Sequence, residues 1–438
     1  MHTTLKLNRR TFVGGGLAVT SAATAASLIG GCASIGSGSA GKVVVIGGGF
    51  GGATAAKYLR MWSDQRIDVT LIEPQAAFVS CPISNLVLAG ARQIGDITVP
   101  YAGLASRHGV KVVRDSVTAI DAAAKTVRLA GGASLPYDRL VVSPGIDFMW
   151  DGISGLQSAS YATNPAGSIL QAWKAGPETV LLRRQLEAMR DGGVYVLTIP
   201  EAPYRCPPGP YERACLVAHY FKQAKPKSKV LILDANPDVT SKGPLFKKVW
   251  AEQYKGIVEY RGQHKAVGVD ARAGIVKFEV NDDVKGDVLN VLPAMRAGQI
   301  AQQAGLANMN ARWCEVDFLT YESRVQAGIH VIGDAIQVAP LMPKSGHMAN
   351  QHAKVAAAAI VELLAGRAPN ALPILVNTCY SFVDPQQVIH VASVHQYSAE
   401  RKTMLTVPGS GGVSAGPTEL EGSYAQGWAD NIWADMLA

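Results

Sequence analysis

KVVVIGGGFGGATAAKYLR, residues 42–60, decides the fold. Lys42–Ile46 is a short apolar strand, Gly47–Gly52 has the spacing G-x-G-x-x-G, and Ala53–Arg60 reads as a helix. Val69–Glu73 is a second strand whose terminal acid lies 21 residues beyond Gly52. A glycine motif alone is weak, but strand, helix and spaced acid together predict a dinucleotide-binding βαβ unit. Gly47 then permits the tight turn, Gly49 lets the backbone approach a pyrophosphate, and Gly52 lets helix and strand pack closely. The helix N-terminus offers orphan N–H groups and a favourable dipole to the phosphates. Glu73 would take the ribose hydroxyls.

Farther out, Arg139–Gly145 is a strand ending in a turn, and Gly328–Asp334 is a strand ending in Gly333-Asp334. Two-domain FAD enzymes place such an acid on the ribityl chain, so segments from both ends, 41–155 and 285–365, are expected to build one flavin domain. Residues 156–284 carry a second α/β pattern, with strand 193–199, helix 211–221 and strand 229–234. Its first turn is a proline-rich loop, 200–210, where an NADH site needs glycine. Prolines remove the N–H donors of a pyrophosphate cradle, so this half is expected to lack NAD and to carry Cys206 instead. Residues 366–438 form a C-terminal domain. The predicted fold class is α/β: two dinucleotide-binding-type domains of the glutathione-reductase-like FAD kind, plus a small C-terminal interface domain.

At 438 residues, 48% of them hydrophobic, the chain can bury the several cores this division needs. Residues 1–40 are read as export signal and linker. Asn8-Arg9-Arg10-Thr11-Phe12 is a twin-arginine pattern ahead of a weakly apolar Gly/Ala-rich run, Val13–Gly31. That run is poor in the bulky residues of a membrane span, and no transmembrane segment is predicted in the mature chain. Cys32 is a candidate for lipidation, and Gly38-Ser39-Ala40 is an alternative cleavage point. Three of the seven net positive charges are Lys6, Arg9 and Arg10 of the signal. The surplus left on the fold is small and forms no basic, aromatic-laced block, which argues against a nucleic-acid partner. The six cysteines include no C-x-x-C and do not cluster with histidines, so no metal site is predicted.

Six stretches together resemble the flavoprotein subunit of flavocytochrome c sulfide dehydrogenase, including the related flavoprotein of sulfur-oxidation operons. They are KVVVIGGGFGGATAAKYLR (42–60), EPQAAFVSCPISNLVL (73–88), YRCPPGPYERA (204–214), GIHVIGDA (328–335), MPKSGHMANQ (342–351) and LVNTCYS (375–381). The resemblance implies FAD joined to Cys81 by a thioether, although Pro82 stands where some members have an aromatic residue. It implies a redox disulfide between Cys206 and Cys379 above the flavin. It places Lys344 at a helix start near the flavin pyrimidine edge, where a cation or dipole stabilises negative charge. Glu212 is the sharper candidate for a proton acceptor beside Cys206; its plainer reading is a solvated helix-start carboxylate. Cys81 also reads as a small buried hydrophobe, and Cys206 with Cys379 as a structural staple. Cys215 and Cys314 read as structural, and His347 and His352 as supporting or surface groups.

The implied reaction is sulfide oxidation. Hydrosulfide opens the disulfide to a persulfide and a thiolate, the flavin takes two electrons, and a second nucleophile releases sulfane sulfur or polysulfide. No C-x-x-C-H is present, so the haem acceptor is expected on a partner, a c-type cytochrome subunit, in the periplasm. The rival readings are a sulfide:quinone oxidoreductase, an NADH-dependent reductase, and a redox-maintenance partner of a sulfur-oxidation complex.

Overall fold

The structure, a computed structural model, describes residues 39–438. The twin-arginine stretch, the Gly/Ala-rich run and Cys32 lie outside the described residues.

Strand β1, Gly41–Ile46, buries every side chain from Val43 to Ile46. An unbroken apolar run is what a parallel sheet covered on both faces needs. Helix α1, Phe50–Trp62, crosses to β2, Ile67–Ile72, which pairs with β1 in parallel from Gly41↔Ile67 to Ile46↔Ile72. The helix starts at Phe50 rather than at Ala53, because two motif glycines enter its first turn. A Cβ on Gly52 would stand 1.7 Å from the Gly47 carbonyl oxygen, so only glycine lets the helix sit this close to the turn. β3, Lys111–Val113, and β4, Arg139–Val142, flank the pair, and β5, Ile146–Phe148, leads out.

The second half repeats the plan. β6, Val194–Ile199, runs through helix α2, Gly209–Ala224, to β7, Lys229–Asp234, in parallel register from Val194↔Lys229 to Ile199↔Asp234. Helix α3, Gly243–Glu252, and β8, Val258–Arg261, follow on one side. β9, Val288–Val291, closes the other side against β6. This corrects the domain boundary drawn from sequence: the second sheet runs past residue 284, because all four residues of β9 are buried and paired within it. Each half also carries a three-stranded antiparallel meander, residues 117–136 ahead of β4 and residues 266–285 ahead of β9. β10, Met295–Ala297, pairs antiparallel with β5, so the two linkers between the halves clasp one another. β11, Ile329–Val331, returns beside β4 and completes the first sheet in the order β11-β4-β1-β2-β3.

Helix α4, Gly346–Leu364, then packs along α1, its start fixed by Ser345 Oγ accepting from the Met348 amide. The C-terminal domain is the sheet β12, Ile374–Phe382, β13, Val388–Ser398, and β14, Thr403–Thr406, with β15, Gly412–Val413, pairing on β13, followed by helix α5, Glu419–Leu437. Lys57 of α1 ties down the chain end, its Nζ donating to the carbonyls of Ala434 (3.0 Å) and Ala438 (2.6 Å). The architecture is the α/β class read from sequence: two parallel-sheet halves and a smaller sheet-and-helix domain. No helix among the described residues is long and apolar enough to cross a membrane.

Candidate active site

Segments of all three domains line one cavity of about 850 Å³. Its floor is the carboxyl end of the first sheet, the place where open α/β sheets bind ligands. Gly47 (φ +93°) makes the turn, and a Cβ there would meet the Ser143 carbonyl oxygen at 2.3 Å. Nothing lies within 4 Å of a Cβ built on Gly49, which also lines the cavity, so this backbone is open to a phosphate. Glu73 stands at the rim; its Oε2 accepts from the Gly48 amide at 2.7 Å and its Oε1 from the Gln75 amide at 2.8 Å. At the other end of the floor, Gly333 (φ +75°) turns the chain so that Asp334 lines the cavity with a buried Oδ1 that has no partner. Burial pushes the Asp334 carboxyl up, while Arg205 and Lys344 pull against it. A glycine cradle, a spaced acid and a buried carboxylate oxygen still lacking a donor fit the pyrophosphate, ribose and ribityl hydroxyls of FAD.

Lys344 departs from expectation. Its ammonium is turned away from the cavity, donating to the carbonyls of Asp334 (3.0 Å) and Ile336 (2.5 Å) and lying 3.6 Å from the Trp313 ring centroid. An ammonium 3% exposed needs such acceptors and a π-face; burial brings it down to about 7. The groups that do line the wall here are Ser345, which caps α4, and Gly346 and His347, its first residues, so the helix dipole rather than the lysine faces the cavity.

The three cysteines singled out from sequence also line this cavity, and Cys215 and Cys314 do not. Cys81 follows the short strand Ala77–Val79. Cys206 sits in the proline loop at φ +58°, a left-handed conformation that costs a non-glycine residue about 1–2 kcal/mol. Its amide donates to the Lys344 carbonyl at 2.8 Å, pinning the loop of the second half onto the first. Cys379 arrives from β12, opposite Val391 of β13. Cys206 and Cys379 are free thiols in this structure, not the expected disulfide. Burial raises both thiols above their ordinary range; the approach of Cys379 and Glu212 raises Cys206 further, while Lys242 and Asn377 hold Cys379 back. Glu212, at the start of α2, lines the same wall, 7% exposed rather than solvated, and burial pushes its carboxyl up to about 7 against the opposing pull of Lys242. A carboxyl poised near neutrality beside two thiols is equipped to take a proton.

Several site groups escaped the sequence reading. Lys242, in the loop before α3, buries its ammonium under Cys379, donating to the Cys379 carbonyl (3.0 Å), Ser381 Oγ (2.7 Å) and the Ile389 carbonyl (3.3 Å). Asn377 lies 3.6 Å from Cys379 Sγ and takes a 2.8 Å hydrogen bond from Ser345 Oγ. Arg213, 2% exposed, spans both halves: Nε donates to Asn85 Oδ1 (3.1 Å) and Nη1 to Asn290 Oδ1 (2.8 Å). It sits beside Glu212 in a helix that also carries His219 and Lys222, so nothing local sets it apart in the sequence.

The nucleotide end of the second sheet is filled by its own side chains. Asp234, which ends β7 as Glu73 follows β2, accepts from Tyr211 Oη (2.7 Å), Tyr260 Oη (3.2 Å) and the Asn236 amide (2.9 Å). Asn236 in turn donates to the Pro200 carbonyl (3.0 Å) and accepts from the Ala202 amide (3.0 Å), holding the proline loop. This leaves Asp234, the counterpart of Glu73, engaged by its own neighbours. Among the described residues, no group of His, Cys, Asp and Glu could hold a metal ion.

Three family models match the chain: the central part of the sulfide dehydrogenase [flavocytochrome c] flavoprotein chain over 179–293, the flavin-binding part of flavocytochrome c sulphide dehydrogenase over 371–437, and the pyridine nucleotide-disulphide oxidoreductases over 41–172. A flavocytochrome c sulfide dehydrogenase flavoprotein chain from Chlorobaculum thiosulfatiphilum is 65% identical over 46 residues, 10% of this chain and 94% of that sequence. The mitochondrial sulfide:quinone oxidoreductase of Dictyostelium discoideum is 25% identical over 301 residues, 67% of this chain; the match spans 65% of that protein's length. The solved sulfide:quinone oxidoreductase of Aquifex aeolicus superposes with a TM-score of 0.73 at 19% identity, covering 90% of this chain and 91% of that one.

Proposed function

The chain belongs to the family of flavocytochrome c sulfide dehydrogenase flavoprotein chains, and we propose that it oxidises sulfide at Cys206 and Cys379 and passes the electrons through FAD to a c-type cytochrome. One observation carries this reading: Cys206 of the second half, Cys379 of the C-terminal domain and Glu212 line the same cavity as the glycine cradle, close enough that Cys379 and Glu212 act on the ionisation of Cys206, and Glu212 on that of Cys379.

FAD, when bound, accepts an electron pair and returns it one electron at a time; Gly47, Gly49, Gly52, Glu73, Gly333 and Asp334 would hold it. The working form has a Cys206–Cys379 disulfide. Hydrosulfide attacks one sulfur, the S–S bond breaks, and the products are a persulfide and a thiolate. A second hydrosulfide removes the outer sulfur as HSS⁻ and leaves a thiol. Reforming the disulfide from thiol and thiolate releases one proton, which Glu212 accepts, and two electrons, which FAD would take when bound. The sum is two hydrosulfides to one HSS⁻, one proton and two electrons. Cys81 is the proposed covalent anchor of the cofactor, and the twin-arginine pattern supports export to the periplasm, where a lost cofactor could not be replaced.

The test is anaerobic titration of FAD-loaded protein with sulfide and, separately, NADH, followed by addition of cytochrome c or a soluble quinone. The expected result is bleaching by sulfide alone and reoxidation by the cytochrome. Bleaching by NADH alone would remove the proposal. Reoxidation by quinone alone would support the second reading, favoured by the 301-residue match to the Dictyostelium discoideum protein, of a sulfide:quinone oxidoreductase.

A further inference from the structure

We propose that Lys242 is a positioning residue that gives the cysteine pair a direction: its buried ammonium makes Cys379 the sulfur that leaves as a thiolate, so that hydrosulfide is taken up on Cys206. This rests on the function proposed above.

The geometry favours one cysteine over the other. Lys242 is 8% exposed and held at φ +56°, a left-handed conformation just before α3. All three ammonium protons are spent on the strands around Cys379: the carbonyl of Cys379 itself, the hydroxyl of Ser381 two residues on, and the carbonyl of Ile389 on the neighbouring strand. Neutral acceptors can hold an ammonium in place, but its buried charge also needs a nearby anion. The groups that face it are Cys379 on β12, Glu212 on α2, Cys206 on the proline loop and Glu421 on α5, with Cys379 exerting the strongest pull. Burial lowers Lys242 to about 8, so it stays charged through neutral pH.

The surroundings of the two sulfurs differ accordingly. Lys242 is the main influence opposing the rise of Cys379, and the Asn377 amide adds a hydrogen-bond partner 3.6 Å from its sulfur. Cys206 faces Glu212 more strongly than it faces any cation; among the cations Arg205, which also donates to the Trp173 carbonyl, acts on it most. The favoured leaving group in thiol–disulfide exchange is the thiol more stable as thiolate. In the opening step, therefore, the hydrosulfide sulfur bonds to Cys206 Sγ and the Cys206–Cys379 bond breaks. Its electron pair leaves on Cys379, and the hydrosulfide proton stays on the new persulfide. One negative charge enters and one remains, now next to the ammonium.

The test uses the full, FAD-loaded protein with its disulfide reduced by a phosphine. Anaerobic alkylation by iodoacetamide across pH 6–10 is read for each cysteine by peptide mass spectrometry. In Lys242→Gln, which keeps a donor but not the charge, alkylation of Cys379 at pH 7 should slow about tenfold, its apparent pKa rising about one unit, with a smaller change in the same direction at Cys206, which Lys242 faces less strongly. Lys242→Arg should restore the wild-type profile. An unchanged Cys379 profile in Lys242→Gln overturns the proposal. So does equal impairment in Lys242→Gln and Lys242→Arg, which would make Lys242 a strut. Should Lys242→Gln fail to retain FAD, the wild-type protein decides: one equivalent of sulfide added to the disulfide form and trapped by alkylation should leave the extra sulfur on Cys206, and finding it on Cys379 overturns the proposal. Failure of sulfide to bleach wild-type flavin would count against the proposed function; the alkylation profiles would still report on Lys242.

Discussion

Replacing Glu212 by Gln removes the carboxyl beside the paired thiols while keeping its size. Burial pushes this carboxyl up to about 7, so about a tenth of it is ionised at pH 6 and about nine-tenths at pH 8, whereas a solvated glutamate would be ionised at both. Only the ionised form accepts a proton. The sign follows: Glu212 assists above neutrality and is lost as a base below it. A positioned base contributes on the order of 10²–10⁴ in rate. The assay is stopped-flow reduction of the flavin by sulfide, with wild type and Glu212→Gln compared at each pH. Taking the ratio cancels the ionisation of hydrosulfide, which is common to both. The wild-type-to-variant ratio should reach on the order of 10² at pH 8 and fall about tenfold toward pH 6. A flat ratio would show that Glu212 does not move the proton, or that its carboxyl titrates where an exposed one does.

Gly52→Val puts a side chain where a Cβ already lies 1.7 Å from the Gly47 carbonyl oxygen; the helix must shift, at a cost of at least about 1–3 kcal/mol, and the purified protein should lose most of its flavin absorbance. Cys379→Ser should keep its flavin and lose reduction by sulfide, seen as an unbleached flavin band. Cys81→Ser should release its flavin into the supernatant on acid precipitation, where wild type keeps yellow, fluorescent protein on a denaturing gel. Arg213→Met leaves Asn85 Oδ1 without its 3.1 Å partner and deprives Asn290 of one of its donors; removing such a buried charge should cost about 3 kcal/mol and lower the melting temperature by several degrees.

The sequence announced those parts of the site that nature builds by local rules. Gly47, Gly49 and Gly52 with Glu73 specify a turn and its acid within one βαβ unit, and Gly333-Asp334 ends a strand whose apolar run is plain. Cys81, Cys206 and Cys379 were legible through the company they keep in their motifs. What was missed depends on distant partners. Lys242 sits in a Ser-Lys-Gly-Pro run that looks like a surface turn, and its burial is decided by Ser381 and Ile389, far along the chain. Lys344 was correctly set at a helix start, but local sequence gives no side-chain direction, and Trp313 with two carbonyls draws it inward. The second sheet outran residue 284 because β9 pairs with β6 across a meander that hides the return strand.

On the proposed function, the loop between β6 and α2 serves sulfide and not a nicotinamide nucleotide. To admit a nicotinamide nucleotide, it would need to trade its prolines for glycines and draw back from the Lys344 carbonyl, and Asp234 would have to give up its tyrosines. Any such change withdraws Cys206 from Cys379. Installing NADH dependence by loop exchange should therefore abolish sulfide chemistry in the same step, with no bifunctional intermediate. Two halves of similar plan thus divide the labour: one keeps the nucleotide pocket, and the other gives its pocket up to present a sulfur.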